Sequence, residues 1–260
     1  MRVVVLGCGG SGGVPLIGAA GGYWGACDPA SARNRRRRVS VLVEDQGQAI
    51  LIDTSPDLRE QLLDAGAAKI DAVLYTHDHA DHVNGIDELR HIRTKGRSGS
   101  IDCYGEARTM AAIERRFLYA FRQNEDGSGV LYRPFLRRRD IDAPFAVGPI
   151  AIRPFVQDHG FGTLTTGYRI GEMAYSTDVV DLPETSWAVL AGIRLWIVDC
   201  LRDEPHPTHA HFDKVMRWIE RLKPERTVLT HMNHSMDYET VRRRCPPGIE
   251  PGFDGLTLDL

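Results

Sequence analysis

Cysteine is scarce in this chain: its 260 residues hold only five (Cys8, Cys27, Cys103, Cys200 and Cys245), an odd, scattered set without a C-x-x-C pair. That argues against a disulfide framework and for reduced thiols. Long apolar runs are missing as well. The stretch after Met1 is too short for a signal-peptide core, and no later stretch approaches the ~20 residues of a membrane span. The expectation is a cytoplasmic protein with no membrane partner. An excess of charge of one sign is also lacking. A formal net charge of -3 gives no global basic field, so no stable nucleic-acid complex is expected. Internal repeats and linkers rich in Pro, Ser or Gly are absent too, which leaves residues 1–260 as one domain.

What is there is globular: 42% hydrophobic and 26% charged residues, enough length for a substantial core. Short β-branched runs bounded by Gly, Asp or Pro predict strands over residues 3–8, 40–44, 49–53, 72–76, 101–104, 151–156, 167–170, 173–176, 194–199, 227–230 and 256–260. Ser55 and Pro56 read as the start of a helix with Leu58, Leu62 and Leu63 on one face and Gly66 closing it. Phe212, Val215, Met216, Ile219 and Leu222 make a second helical stripe, ended by Pro224. Residues 108–121 are a third candidate. Residues 124–150 are polar and Arg-rich, and read as an insertion or lid, with Arg137–Arg139 a solvated part of it. Strands followed by helices, twice over, predict two packed sheets with helices outside, an αββα sandwich.

The most informative stretch is Thr76-His77-Asp78-His79-Ala80-Asp81-His82, which leaves the apolar run at residues 72–75. Three imidazoles and two carboxylates in six residues would be costly to bury without a cation to organise them. His77 and His79 alternate, so in extended chain they point to one side. Asp81 and His82 follow the turn and can aim at a second point nearby. Further ligand types end other strands: His159, Asp178 and His231. Two divalent ions ~3.5–4 Å apart would suit such a set. All seven donors are nitrogen or oxygen, so zinc fits, and manganese or iron suits the same donors.

With the H-x-H-x-D-H motif followed in order by His159, Asp178 and His231, nearly the whole chain resembles the metallo-β-lactamase superfamily. The resemblance implies that His77, His79 and His159 hold one metal and Asp81, His82 and His231 the other, with Asp178 bridging. It also implies a water-derived nucleophile activated by the pair. The Gly-rich stretch Gly7-Cys-Gly-Gly-Ser-Gly-Gly-Val-Pro15, together with Tyr23–Pro29 and Arg33–Ser40, is similar to the branch of phosphoribosyl 1,2-cyclic phosphate phosphodiesterases. By itself the glycine run reads either as an anion cradle or as a turn needed for geometry. Within that branch a histidine near the scissile phosphate aligns with His209, or alternatively with His211. Asp81, His209 and His211 are therefore the candidate catalytic residues, and a small phosphodiester, cyclic or nucleotide, is the expected substrate. A homodimer would also follow from the resemblance.

The branch carries a C-x-C-x-x-C cluster where this chain has only Cys27, with His234 as a partner further on. Two ligands do not close a tetrahedral site, so no structural zinc is expected. Of the run Arg35–Arg38, at least half reads as a solvated face, and at most two side chains could turn inward to grip phosphate. The rival readings are a tRNA 3′-end endonuclease, for which residues 124–150 are too short and too poor in Gly and Lys, and a non-catalytic carrier on the same fold.

Overall fold

The computed structural model describes residues 1–92, 99–122 and 134–260. The chain begins with β1 (Arg2–Gly7), β2 (Ser40–Asp45), β3 (Gln48–Ile52), β4 (Ala72–Leu74), β5 (Ile101–Gly105) and β6 (Leu136–Asp140). It continues through β7 (Phe145–Val147), β8 (Ile150–Asp158), β9 (Leu164–Ile170), β10 (Met173–Ser176), β11 (Leu195–Asp199), β12 (Arg226–Thr230), β13 (Ile249–Pro251) and β14 (Leu256–Asp259). These form two seven-stranded sheets, ordered β14-β1-β2-β3-β4-β5-β6 and β13-β12-β11-β10-β9-β8-β7. Both are mixed. β3 to β6 run parallel in the first sheet and β10 to β13 in the second.

Parallel neighbours need crossovers, and helices supply them. On the first sheet lie α1 (Leu58–Ala65), the short α2 (Ala80–Val83), α3 (Ala107–Arg116) and α4 (Leu118–Phe121). On the second lie α5 (Glu184–Leu190), α6 (Phe212–Leu222) and α7 (Tyr238–Arg244). The layers are helix, sheet, sheet, helix, as expected from the sequence.

Strand periodicity divides the core in two. In β1, Val3 and Val5 enter the inter-sheet core, while Val4 and Leu6 pack under α1. Val41 and Val43 alternate with Leu42, and Ile50 and Ile52 with Leu51, in the same way. Burial on both faces is why these strands read as unbroken apolar runs.

Several expectations need correction. Helix α1 starts at Leu58 with Asp57 at its N-cap. Ser55 stays outside, where its hydroxyl accepts from the Asp57 amide and donates to Gln61. Leu63 is exposed and Gln61 buried instead, because Leu58, Gln61 and Leu62 share the face spaced for the sheet. Gly66 closes the helix in the left-handed conformation, as read. The candidate helix at 108–121 breaks at Phe117 into α3 and α4. The predicted insertion over 124–150 is in part regular structure. Residues 124–133 lie outside the described residues, but β6 and β7 follow, one at the edge of each sheet. Edge strands carry polar residues on their open face, which hid β6, while β7 is only three residues long. Arg137 and Arg139 pair with Asp102, and Arg138 with Glu114 and Asp140, so these arginines are matched rather than merely solvated.

Trp196 sits at 0% exposure between the second sheet and helices α5 and α6, its ring 6.3 Å from Trp187 and 6.2 Å from Trp218 and its indole nitrogen donating to Ser176 Oγ at 3.0 Å. Trp196→Ala should cost roughly 3–5 kcal/mol in urea unfolding. A loss below about 1 kcal/mol, the size of ordinary surface effects, would place this residue outside the core.

Candidate metal centre

The imidazoles and carboxylates gather where strands end, most of them past the carboxyl ends of parallel strands, with His79 at the N-cap of α2 and Asp81 and His82 on it. β4 runs into Thr76 and His77, β10 into Asp178 and β12 into His231, while β8 leads to His159. Open α/β sheets collect ligands at this rim because the strands point there and the connections leave it open. Two further carboxylates lie on the same rim. Asp53 follows β3, and Asp199 is the last residue of β11.

Asp53, Asp178 and His231 adopt left-handed backbone, with φ of 60°, 54° and 58°. For residues other than glycine this is costly and tends to occur where a side chain must be aimed. Here the turn swings each side chain off its strand toward a common point.

That point is the Asp178 carboxylate. One of its oxygens, Oδ1, lies 3.8 Å from His77 Nε2 and 3.7 Å from His159 Nε2. The other, Oδ2, lies 3.1 Å from His82 Nε2 and 3.3 Å from His231 Nε2. Asp81 Oδ2 is 3.3 Å from His82 Nε2 and 3.7 Å from His231 Nε2. Three overlapping groups of donors have their atoms within 4.8 Å of one another: His77, His79, His159 and Asp178; Asp81, His82 and His231; and Asp178, His209 and His231. The fold thus brings together all seven residues that the sequence resemblance implied as ligands.

Outer contacts fix which ring nitrogen faces inward. His159 Nδ1 donates to the Thr208 carbonyl at 2.8 Å, and His82 Nδ1 donates to Asp53 Oδ2 at 2.7 Å. Thr76 Oγ1 donates to Asp53, and so accepts from His77 Nδ1 at 3.0 Å. With Nδ1 committed outward, each Nε2 presents its lone pair to the centre. The Nε2 atoms of His77, His82 and His231 are buried without a hydrogen-bond partner. Unpaired buried nitrogens converging on a carboxylate are what divalent cations satisfy, so the residues fit such ions.

Electrostatics agree. Burial opposes charge on His231, but Asp178, Asp81 and Asp199 outweigh it and lift its pKa to about 9. Burial likewise opposes charge on His82, and Asp178, Asp53 and Asp81 overcome it. Asp178 is held well below the usual carboxylate range despite burial, by His231, His82 and His77. His77 is pushed down, by burial first and then by His82. The pocket as a whole favours positive charge at its middle.

His209 belongs to this cluster and His211 does not. His209 Nδ1 lies 2.8 Å from Asp199 Oδ2, its Nε2 is 3.9 Å from Asp178 Oδ1, and its ring stacks on His231 at 4.7 Å. His211 caps the amino end of α6, half-buried, its pKa lowered by burial and by Arg217. Sequence reasoning missed Asp53 and Asp199. The available signal was an aspartate closing a wholly apolar strand.

The Arg35–Arg38 run serves the scaffold. Arg35 stacks on Trp24, Arg37 pairs with Asp64, and Arg38 with Asp57. Arg36 is buried and donates to the carbonyls of Asn233 and Met236 just past His231. It also approaches Cys27 Sγ at 3.7 Å. His234 packs instead on Tyr23, with ring centroids 5.1 Å apart. The Gly-rich loop is built for close approach: a Cβ on Gly7 would lie 2.1 Å from the Arg38 carbonyl. Of its two readings, geometry is the one these contacts support.

Fold and site together define a metallo-β-lactamase-type protein. Residues 48–232 match the Beta-lactamase superfamily domain, and the chain belongs to that family. It is similar to a solved diphosphatase of the PhnP family, 34% identical with a TM-score of 0.89, over 100% of this chain and 97% of that one. Zn(2+)-bound PqqB from Methylobacterium extorquens (22% identity, TM-score 0.76) covers 100% of both chains and shares the fold. Among curated proteins, a Porphyromonas gingivalis protein named octanoyltransferase is 35% identical over 98% of this chain, but this chain spans only 51% of that relative.

Because His231 titrates near 9 in the metal-free protein, well above its ordinary ~6.5, its charged form stabilises that state fully below pH 6.5 and progressively less as pH rises through 9. Metal uptake must expel this proton. Calorimetric titration with zinc at pH 7.5, in buffers of different ionisation enthalpy, should show proton release, and affinity should weaken toward acid pH. Uptake without proton release would contradict the assignment of His231.

Proposed function

We propose that this protein is a dinuclear metal-dependent hydrolase of a small phosphodiester, a cyclic ribose phosphate or nucleotide being the expected form. The observation that supports the reading is the Asp199–His209 pair set beside clustered His and Asp donors that could hold metal ions. Two divalent ions in that set would supply Lewis acidity to a phosphoryl oxygen and lower the pKa of bound water.

The chain's own groups do the rest. Asp199 accepts from His209 Nδ1 and from the Val179 amide at 3.0 Å, so the imidazole is held with Nε2 toward Asp178. A ring locked in that tautomer can carry a proton on Nε2 and pass it to a departing alkoxide, with Asp199 balancing the imidazolium charge. Asp81 and Asp178 place negative charge at the centre, which would retain divalent cations there. The ligand sets read from the sequence are proposed as they stand: His77, His79 and His159; Asp81, His82 and His231; Asp178 between them.

The likeness to a PhnP-family diphosphatase favours a second, related reading in which a phosphoanhydride of a small molecule is the scissile bond. The octanoyltransferase likeness covers about half of that relative, so the named activity is not carried over to these residues.

His209→Ala should lower kcat on bis(p-nitrophenyl) phosphate by about 10²–10⁴ with the metal content unchanged. His211→Ala should stay within about threefold, a difference below 1 kcal/mol. Equal losses from the two variants, or full activity in His209→Ala, would overturn the role given to His209.

A further inference from the structure

Hairpin β8–β9 presents an aromatic ring to solvent beside the metal centre. Phe161 is 85% exposed, two residues beyond His159, and its φ is 51°. A large apolar residue in left-handed backbone at a tip is doubly unfavourable, through strain and through exposure. The tip is rigid all the same. Thr163 N donates to the Gly160 carbonyl at 2.9 Å, His159 N to the Thr163 carbonyl at 2.8 Å, and Gly160 N to Asp158 Oδ1 at 2.7 Å. It is also seated on the segment that carries His209, for a Cβ at Gly160 would lie 2.3 Å from the Pro207 carbonyl.

Behind the ring runs a groove of about 920 Å³, whose lining includes Phe161, Leu164, Val156, Trp187, Trp218 and Arg217. Leu164 and Val156 are 63% and 48% exposed, so apolar side chains line this side of the groove together with Asp158. Of the two arginines lining the groove, Arg221 pairs with Glu184 and covers Trp187. Arg217 has no hydrogen bond or ion pair among the described residues. The groove is also lined by Asp158, which leads into His159, and by Asp181, three residues after Asp178, and the two segments are joined by backbone hydrogen bonds.

We propose that this hairpin and groove form a second substrate subsite, in which Phe161, Leu164 and Val156 take up an apolar group on the alcohol of the diester held at the metal centre. The inference rests on the phosphodiesterase reading and adds the substrate's other half. Burying one aryl or alkyl group on this wall should improve binding about tenfold over a methyl group.

The test uses methyl, octyl and thymidyl p-nitrophenyl phosphates with the metal-loaded full chain. Wild type should prefer the octyl or the thymidyl ester over the methyl ester by about tenfold in kcat/KM, and the two arms tell alkyl from aryl recognition. Phe161→Ala should bring that ratio close to one, whereas Leu63→Ala, an exposed leucine on α1, should leave it intact. Dissociation constants for the same esters, measured by calorimetry with metal-loaded His209→Ala, report on the subsite independently of turnover. A wild type that turns over no diester would end the phosphodiesterase reading, while those constants still judge the subsite. Turnover or binding with no apolar preference, or a preference that survives Phe161→Ala, would end the present inference alone.

Discussion

One buried carboxylate organises this molecule. Asp178, 2% exposed, divides its two oxygens between two groups of imidazoles. Such a group is tolerable only if positive charge sits on both sides of it. Protonated histidines or divalent cations can provide that charge. Inward-facing Nε2 atoms without partners favour the cations, since a ring whose Nδ1 already donates outward offers its remaining nitrogen as a donor atom.

The rest of the fold is an apparatus for bringing those groups together. The donors come from the first sheet through the segment after β4 and from the second through the ends of β8, β10 and β12. The inter-sheet core of Val and Ile residues fixes the distance between the two rims. Strain at Asp53, Asp178 and His231 is concentrated where side chains must leave their strands at an angle. Packing of the sheets holds those angles, so stability and site geometry are coupled through the same strands.

Much of this was legible in the primary structure, for physical reasons. Strands buried on both faces are apolar throughout, so ligand residues closing them, His77 after β4 and His231 after β12, stand out. The layered architecture followed from the same runs and the amphipathic stripe of α6. Less was readable where side chains answer to neighbours far along the chain. β6 is a polar edge strand whose arginines pair with Asp102, Glu114 and Asp140, and β7 is an edge strand of only three residues, so neither stood out as a strand. Asp53 and Asp199 resembled ordinary turn aspartates until His82 and His209 were seen beside them. The choice between His209 and His211, two residues apart, needed three dimensions. One turns in toward Asp199 and the other caps a helix.

The central claim is that the Asp178 carboxylate lies between two cations. Anomalous scattering from crystals of the metal-loaded protein, recorded on both sides of the metal absorption edge, tests it most directly. The account predicts two peaks flanking Asp178, one among His77, His79 and His159 and the other among Asp81, His82 and His231. A pocket with no peak, or a single ion bound away from Asp178, would contradict it.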